Sequence, residues 1–321
     1  MKELKEKLLK LMGKEKSISK LCEKLELEEH ELLGIIELLK REGHNLDVYS
    51  KDGEYRINVL TKIILPEDNE YCVETNLKKI KIGIVSDTHL CSKYQQLTLL
   101  NEAYKDFHSR GINTVLHIGD LTDGDYKNRP DHIYSLFKLG ATEQADYVCE
   151  MYPKIKGLKT YFIQGSHDAT HIKNGGADLG KMVSQARKDM VNLGMDTATF
   201  KLNNCKIKML HPGDGTAYAY SYKPQKIIDS MRGGEKPHVL LIGHYHKNLY
   251  MMYRNIHVLM IPSLQATTPF MTRKALINDI GYNVIEFDIN KKGEVQKFNV
   301  EYIPFYKTIE NDYLKCKALK L

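Results

Sequence analysis

The stretch Ile82-Gly83-Ile84-Val85-Ser86-Asp87-Thr88-His89 decides how the chain is read. A short apolar run ends abruptly in an aspartate and a histidine, the pattern of a buried strand that stops at a polar site. Four further runs repeat it downstream. Val115-Leu116-His117-Ile118 leads into Gly119-Asp120, and Tyr161-Phe162-Ile163 leads into Gly165-Ser166-His167-Asp168. Lys208-Met209-Leu210 precedes His211, and Val239-Leu240-Leu241-Ile242 precedes Gly243-His244-Tyr245-His246. In α/β proteins ligands bind at strand ends, so five strand ends that deliver Asp and His imply a site for metal ions.

The donor types narrow the metal. Carboxylate oxygen and imidazole nitrogen suit manganese, iron, zinc, nickel or cobalt better than calcium. If the segments are extended, residues i and i+2 face one side, so Asp87 with His89, and His244 with His246, each aim two ligands at one pocket. A single such pair arises readily by chance, and Asp120 alone reads equally as a turn residue. The whole ordered set, with strand and helix patterns between its members, implies a dinuclear site.

Composition sets bounds on the rest. A chain of 321 residues accommodates a large domain and a small one, and its charged fraction, without low-complexity tracts, excludes a disordered chain. No apolar stretch approaches the roughly 20 residues that cross a bilayer, and the Lys- and Glu-rich N-terminus is not a signal peptide. A soluble, cytoplasmic protein with no membrane partner is expected. Cys22, Cys72, Cys91, Cys149, Cys205 and Cys316 form no CxxC pair, as for reduced thiols. The formal charge of +6 permits a polyanionic partner without requiring one.

Residues 1–65 read as a unit of their own. Leu4, Leu8, Leu9 and Leu11 recur at helical spacing up to Gly13. A second helix over Ile18 to Leu25 follows Ser17, and a third over Glu28 to Glu42 carries Leu32, Leu33, Ile36 and Leu39 on one face before Gly43. Leu46 to Tyr49, a Lys51-Asp52-Gly53 turn and Tyr55 to Leu60 then read as a hairpin. Three helices and a hairpin resemble a winged helix-turn-helix, a DNA-binding module. The third helix would enter the major groove, yet it holds Glu28, Glu29, Glu31, Glu37 and Glu42 against Lys40 and Arg41. The basic residues lie earlier, among them Lys2, Lys5, Lys7, Lys10, Lys14, Lys16, Lys20 and Lys24. Nucleic-acid binding and a purely protein-binding or homodimerising role therefore both stay open for this unit. Residues 66–79, beginning Pro66-Glu67-Asp68-Asn69-Glu70, read as a linker, residues 80–305 as the catalytic domain and residues 306–321 as a C-terminal tail.

The motif order DxH, GD, G-x-H-D, H, GHxH resembles that of the calcineurin-like metallophosphoesterases, over roughly Lys81 to Tyr302. The resemblance implies an α/β fold, a four-layer α/β/β/α sandwich, with two divalent metal ions at the strand ends. Manganese is the first expectation, and iron, zinc, nickel, cobalt or magnesium are alternatives. By position, Asp87, His89 and His246 would hold one ion, Asp120 would bridge, and His211 and His244 would hold the other. His167 matches the family's general-acid or phosphate-stabilising histidine, and Asp168 would orient it or cap the next turn. Ser166 stands where the family has an asparagine ligand, and a hydroxyl is a shorter, poorer neutral donor than a carboxamide. Where the family's protein phosphatases place a phosphate-gripping arginine, this chain has Gly124.

A bridged pair of cations lowers the pKa of water and neutralises phosphoryl oxygens, so the expected activity is phosphodiester hydrolysis, with nuclease action on DNA as the leading substrate class. A small-molecule phosphatase or phosphodiesterase is an alternative, as is a DNA- or protein-binding regulator with a degenerate site. Tyr218, Tyr220, Tyr222 and Lys223 are candidates for base stacking and phosphate contact, unless that loop simply packs on the sheet. Lys127, Arg129 and His132 follow the Asp120 motif on an expected loop and are further substrate candidates.

Overall fold

The computed structural model describes residues 2–12, 17–41, 44, 46–51, 53–59, 70–75, 77–231, 236–290 and 293–315. Gly13, Lys14, Lys16, Glu42, Gly43, Asp52, Leu60, Pro66 to Asn69 and the end of the tail from Cys316, all invoked above, lie outside them. The chain forms two compact units, the first within residues 1–67 and the second in the residues that follow.

The first unit consists of α1 (Lys2–Met12), α2 (Ile18–Leu25), α3 (Glu29–Arg41) and an antiparallel hairpin of β1 (Leu46–Lys51) and β2 (Glu54–Val59). Ser17 caps α2 by accepting the Lys20 N–H, and its hydroxyl also donates to Glu54, which ties the helix start to the hairpin. The core is Leu8, Met12, Ile18, Leu21, Leu32, Ile35, Ile36, Leu39 and Ile57. Leu33 departs from expectation: it is 37% exposed, and Ile35 is buried in its stead. Positions 32, 35, 36 and 39 follow the helical stripe of i, i+3, i+4 and i+7, whereas position 33 lies about 100° round the helix from 32.

The second unit contains β3 (Glu70–Val73), β4 (Lys79–Val85), α4 (Leu97–Ser109), β5 (Thr114–Ile118), α5 (Ala141–Met151), β6 (Lys159–Gln164), α6 (Ala169–Gly175), α7 (Leu179–Ala186), β7 (Met190–Met195), β8 (Thr197–Leu202), β9 (Cys205–Leu210), α8 (Tyr222–Ser230), β10 (Val239–Ile242), β11 (Leu249–Tyr253), β12 (Ile256–Met260), α9 (Pro269–Arg273), β13 (Gly281–Ile289), β14 (Val295–Pro304) and α10 (Asp312–Lys315). Two six-stranded sheets result, ordered β14-β13-β4-β5-β6-β7 and β11-β12-β10-β9-β8-β3. Strands β4 to β7 are parallel, joined by helices, and β9, β10 and β12 are parallel in the second sheet.

Alternation along the strands builds the layers. Ile82, Ile84, Leu116 and Ile118 meet Phe200, Ile207, Met209, Val239 and Leu241 between the sheets. Val115 and Phe162 point the other way, against Leu100, Phe107, Val148 and Val183 of the helices. Leu240 and Ile242 turn to the outer side of the second sheet, where Ile228 of α8 covers them. The result is α/β/β/α, and it explains why these strands read as continuous apolar runs: both faces are buried.

Two segments differ from the linker and tail expected of them. Glu70–Val73 is a strand paired parallel to β8 at a sheet edge; four residues give little pattern against the polar stretch before them. The tail is docked as far as it is described. Asp312 is buried and accepts the N–H and hydroxyl of Thr98, and Tyr313 stacks on Phe137 at 5.0 Å. Among the described residues no helix is long and apolar enough to cross a membrane.

Candidate metal centre

Every expected ligand segment follows the C-terminal end of a strand: Asp87 and His89 after β4, Asp120 after β5, Ser166 and His167 after β6, His211 after β9, and His244 and His246 after β10. The ligands do not converge by strand alternation, however. Residues 86–89 and 243–248 are not strand, and Asp87, His89, Asp120, His244 and His246 all have positive φ, between 43° and 74°. Left-handed backbone in non-glycine residues is strained and concentrates at functional sites. It is held here by cross-loop hydrogen bonds from Asp87 N to Gly119 O (3.0 Å) and from His89 N to Asp120 O (3.1 Å). Two glycines allow the approach. A Cβ at Gly119 would lie 2.3 Å from His211 Nδ1, and one at Gly165 would lie 2.3 Å from Asp120 Oδ1.

Two groups of donors result, Asp87–His89–His246 and Asp120–His211–His244, each with ligand atoms within 4.8 Å of one another. Each histidine has its other ring nitrogen engaged. His89 Nδ1 bonds to Asp123 Oδ1 (2.9 Å), His211 Nδ1 to Ile118 O (2.7 Å), His244 Nε2 to Asp214 O (2.8 Å) and His246 Nδ1 to Asn278 Oδ1 (3.0 Å). All four partners are oxygen acceptors; the Asn278 oxygen is assigned by Ser263, which donates to it, and by its amide nitrogen, which donates to Gln265 O. Each imidazole therefore carries its hydrogen on the outer nitrogen and turns a lone pair inward, as metal-ligating histidines do.

The inner nitrogens of His211, His89 and His246 face one another or the carboxylates. His211 Nε2 is buried, 3.0 Å from Asp120 Oδ2 but out of line for a hydrogen bond. His89 Nε2 and His246 Nε2 face each other at 3.2 Å, with Asp87 Oδ1 3.3 Å from the latter. Lone pairs and carboxylates converging in a buried space fit divalent cations. The third possible group, His89–Asp123–His167, would need the His89 nitrogen that is already bonded to Asp123.

Protein charges alone leave the centre strongly perturbed. Burial would raise the carboxyls of Asp87 and Asp120, but His246 and His211 hold Asp87 far below its usual range, and His211 and His167 do the same to Asp120. Burial would lower His211, yet Asp120 and Asp87 push it up to about 10. His167 likewise rises to about 9, against burial, through Asp120 and Asp123. Cations would supply the counter-charge that these imidazoles otherwise provide as protons.

The structure corrects the role expected of Asp168. Its buried carboxylate accepts the N–H groups of Leu121 (3.0 Å), Thr122 (2.9 Å) and Gly165 (3.0 Å) and the Thr122 hydroxyl (2.9 Å), so it braces the Asp120 loop against the Gly165 loop. It neither orients His167 nor caps a helix. Burial and Asp120 raise it to about 6. His167 is held instead by Asp123, donating from Nδ1 to the Asp123 carbonyl at 2.7 Å, while its own N–H donates to Asp120 Oδ1 at 2.8 Å. Sequence reasoning misses Asp123, although GD-x-x-D places it three residues beyond Asp120. Ser166 is half-buried on the cleft wall beside the Tyr126 phenol.

The centre opens into a cleft of about 2090 Å³. Of the substrate candidates, Arg129, His132, Tyr218 and Tyr220 line it, and Tyr222 and Lys223 do not. Tyr222 and Lys223 open α8, and Lys223 is ion-paired with Asp214 of the cleft wall. Tyr218 is fully exposed, whereas Tyr220 lies under the Lys247 ammonium at 4.3 Å. Lys127 pairs with Asp125 at 2.7 Å. Gly124 has φ +67°, and a Cβ there would lie 2.2 Å from His167 O, so no side chain fits at the protein phosphatases' arginine position.

A family model for the calcineurin-like phosphoesterase superfamily domain matches residues 80–269, more than half of the chain. The chain belongs to this superfamily. It is therefore a phosphoesterase-family hydrolase fold, and the paired Asp and His groups are its candidate divalent-metal site. Solved structures similar to it include an archaeal phosphodiesterase (14% identity, 70% of this chain and 100% of that one, TM-score 0.39). Others are zinc-complexed Vps29 from Entamoeba histolytica (14%, 70% and 99%, 0.33) and GAP50 of Plasmodium (11%, 73% and 87%, 0.43). These likenesses are too distant to add to the superfamily assignment. Comparison with curated proteins gives no match.

Proposed function

We propose that the protein is a two-metal phosphodiesterase that cleaves nucleic acid, with DNA as its substrate. The observation that carries the polymer reading is the cleft. At about 2090 Å³ it exceeds the 300–1,000 Å³ of sites that enclose small ligands. Its walls present Tyr126, Tyr134, Tyr218 and Phe270 together with Arg129, Lys173 and Arg273, the mixture of aromatic faces and cations that grips single strands.

Asp87, His89 and His246 would hold one cation and Asp120, His211 and His244 the other, and Asp120 would serve both. When bound, such a pair supplies an activated water at neutral pH and neutralises charge on the phosphoryl oxygens. The chain's own residues do the rest. Asp123 and Asn278 keep the His89 and His246 lone pairs aimed inward. His167, anchored at Nδ1 by the Asp123 carbonyl, presents Nε2 to the cleft, where it donates a hydrogen to the departing oxygen. Asp168 fixes the spacing of the two loops that carry Asp120 and His167.

The N-terminal unit, with its three helices and hairpin, is proposed as a winged helix that recruits DNA through its basic first helices. A metal-supplemented panel tests the activity: manganese-loaded protein should hydrolyse bis-p-nitrophenyl phosphate faster than p-nitrophenyl phosphate, and should cleave single- or double-stranded DNA. Turnover of the monoester alone would refute the reading.

A further inference from the structure

Arg129 lies on the cleft wall against two aromatic rings. Its guanidinium lies 4.2 Å from the centre of the Tyr126 ring and 5.4 Å from that of Phe270, a residue of α9 far away in sequence. Lys247, on the same cleft, is buried and donates to Ala217 O at 2.9 Å, and the two other basic candidates, Lys127 and Lys223, do not line the cleft and are held in ion pairs. Arg129 is exposed, and among the described residues no carboxylate pairs with it. The planar fork is thus held by two aromatic faces while its donors stay free, which lowers the entropy cost of binding an anion.

Its place relative to the centre is also defined. The Tyr126 ring that supports it packs edge-on against His167, with centroids 4.8 Å apart, and against His132 at 5.4 Å. The contacts run in series from His167 to Tyr126, Arg129 and Phe270. The guanidinium thus rests on the ring that packs against the histidine proposed to face the reacting phosphate, and it lines the same cleft. We propose that Arg129 anchors a second phosphate, adjacent to the reacting one, and so selects substrates that carry consecutive phosphates. This rests on the phosphodiesterase reading for the identity of the reacting group and adds a specificity determinant to it.

Binding of nucleotides that carry no phosphodiester bond tests the anchor without reference to diester turnover. In calorimetric titrations of the manganese-loaded full chain, thymidine 3′,5′-bisphosphate should bind about tenfold more tightly than either thymidine monophosphate, in line with a charge-assisted hydrogen-bonded pair. Arg129→Ala should bring that ratio close to one. Arg129→Lys should retain only part of it, because an ammonium keeps the charge and loses the stacked fork. Phe270→Leu, which removes one prop and leaves the cation, should lower the ratio by less than Arg129→Ala. A wild-type ratio of one, or a ratio unchanged in Arg129→Ala, would show that the arginine only cross-braces Tyr126 and Phe270 and would overturn the proposal. Failure of the phosphodiesterase reading is recognised separately, as absence of turnover of bis-p-nitrophenyl phosphate with the bisphosphate preference intact.

Discussion

Asparagine at position 123 isolates what the outer partner of a ligand contributes. Asp123 Oδ1 accepts from His89 Nδ1 at 2.9 Å and lies 3.4 Å from Gln265 Nε2, and Oδ2 is 3.3 Å from His132 Nε2. His132 Nδ1 faces the Tyr126 N–H at 3.4 Å as acceptor, so its Nε2 carries the hydrogen. Asparagine has one acceptor where the carboxylate has two. Either its amide nitrogen meets the His89 Nδ1 hydrogen or it meets that of His132, donor against donor. The His89 lone pair is then less firmly aimed, and the electron density that the carboxylate lends to the imidazole is gone. Such outer partners are worth roughly 10- to 100-fold in metal affinity, about 1.4–2.7 kcal/mol. His167 keeps its bond to the main-chain carbonyl of Asp123, which the substitution leaves in place, but loses the carboxylate 3.4 Å from its Nδ1. Asp123→Asn should therefore shift the manganese midpoint for bis-p-nitrophenyl phosphate hydrolysis upward by roughly 10- to 100-fold. An unchanged midpoint in a variant that melts normally would refute the assignment of His89 as a ligand aimed by Asp123.

Three other outcomes are expected. Ser166→Asn should restore a carboxamide donor and lower the metal concentration for half-maximal activity; an unchanged or weakened titration would show that position 166 is not at a ligand position. Deleting residues 1–65 should leave hydrolysis of the chromogenic diester intact while weakening DNA binding and flattening the slope of log K against log salt by nearly one unit for every phosphate that the unit neutralises, and identical affinity and slope would make that unit a protein-binding element. Asp189 sits in a buried clamp: burial would raise its carboxyl, but hydrogen bonds from Arg187 at 2.8 and 2.6 Å hold it below its ordinary value of 3.8. A depressed folded pKa contributes stability above the unfolded value and loses it as pH falls through the folded one. Asp189→Asn should accordingly cost about 1–3 kcal/mol at pH 7, and in urea unfolding the gap to wild type should close below about pH 4; a gap that persists undiminished would refute the pairing.

What can be read from the sequence, and what cannot, follows from the range of each interaction. The five strands are legible because burial on both faces makes them continuous apolar runs, and Asp87, His89, Asp120, His211, His244 and His246 are legible by type and position after those runs. The geometry that brings them together is not. Extended alternation would aim residues i and i+2 alike, yet five of the six reach the centre, or flank it, through left-handed backbone, which no side-chain pattern announces. Adjacency in sequence points to Asp168 as the support of His167, whereas the contact that matters comes from Asp123 across a loop. Leu33 reads as buried because it is apolar, and Tyr222 and Lys223 read as cleft residues because they adjoin Tyr218 and Tyr220; the start of α8 separates them. Ion pairing, which takes Lys127 and Lys223 out of consideration, depends on where Asp125 and Asp214 come to lie in space.

The central claim is that two divalent cations, bridged by Asp120, perform the hydrolysis. Elemental analysis of manganese-equilibrated protein, run beside bis-p-nitrophenyl phosphate turnover on the same samples, tests it most directly. The account predicts two manganese ions per chain for the wild type, activity abolished by chelation and regained on manganese addition, and a folded Asp120→Ala variant that holds at most one ion and turns over no substrate. Full activity in metal-analysed Asp120→Ala, or wild-type activity that survives complete removal of metal, would contradict it.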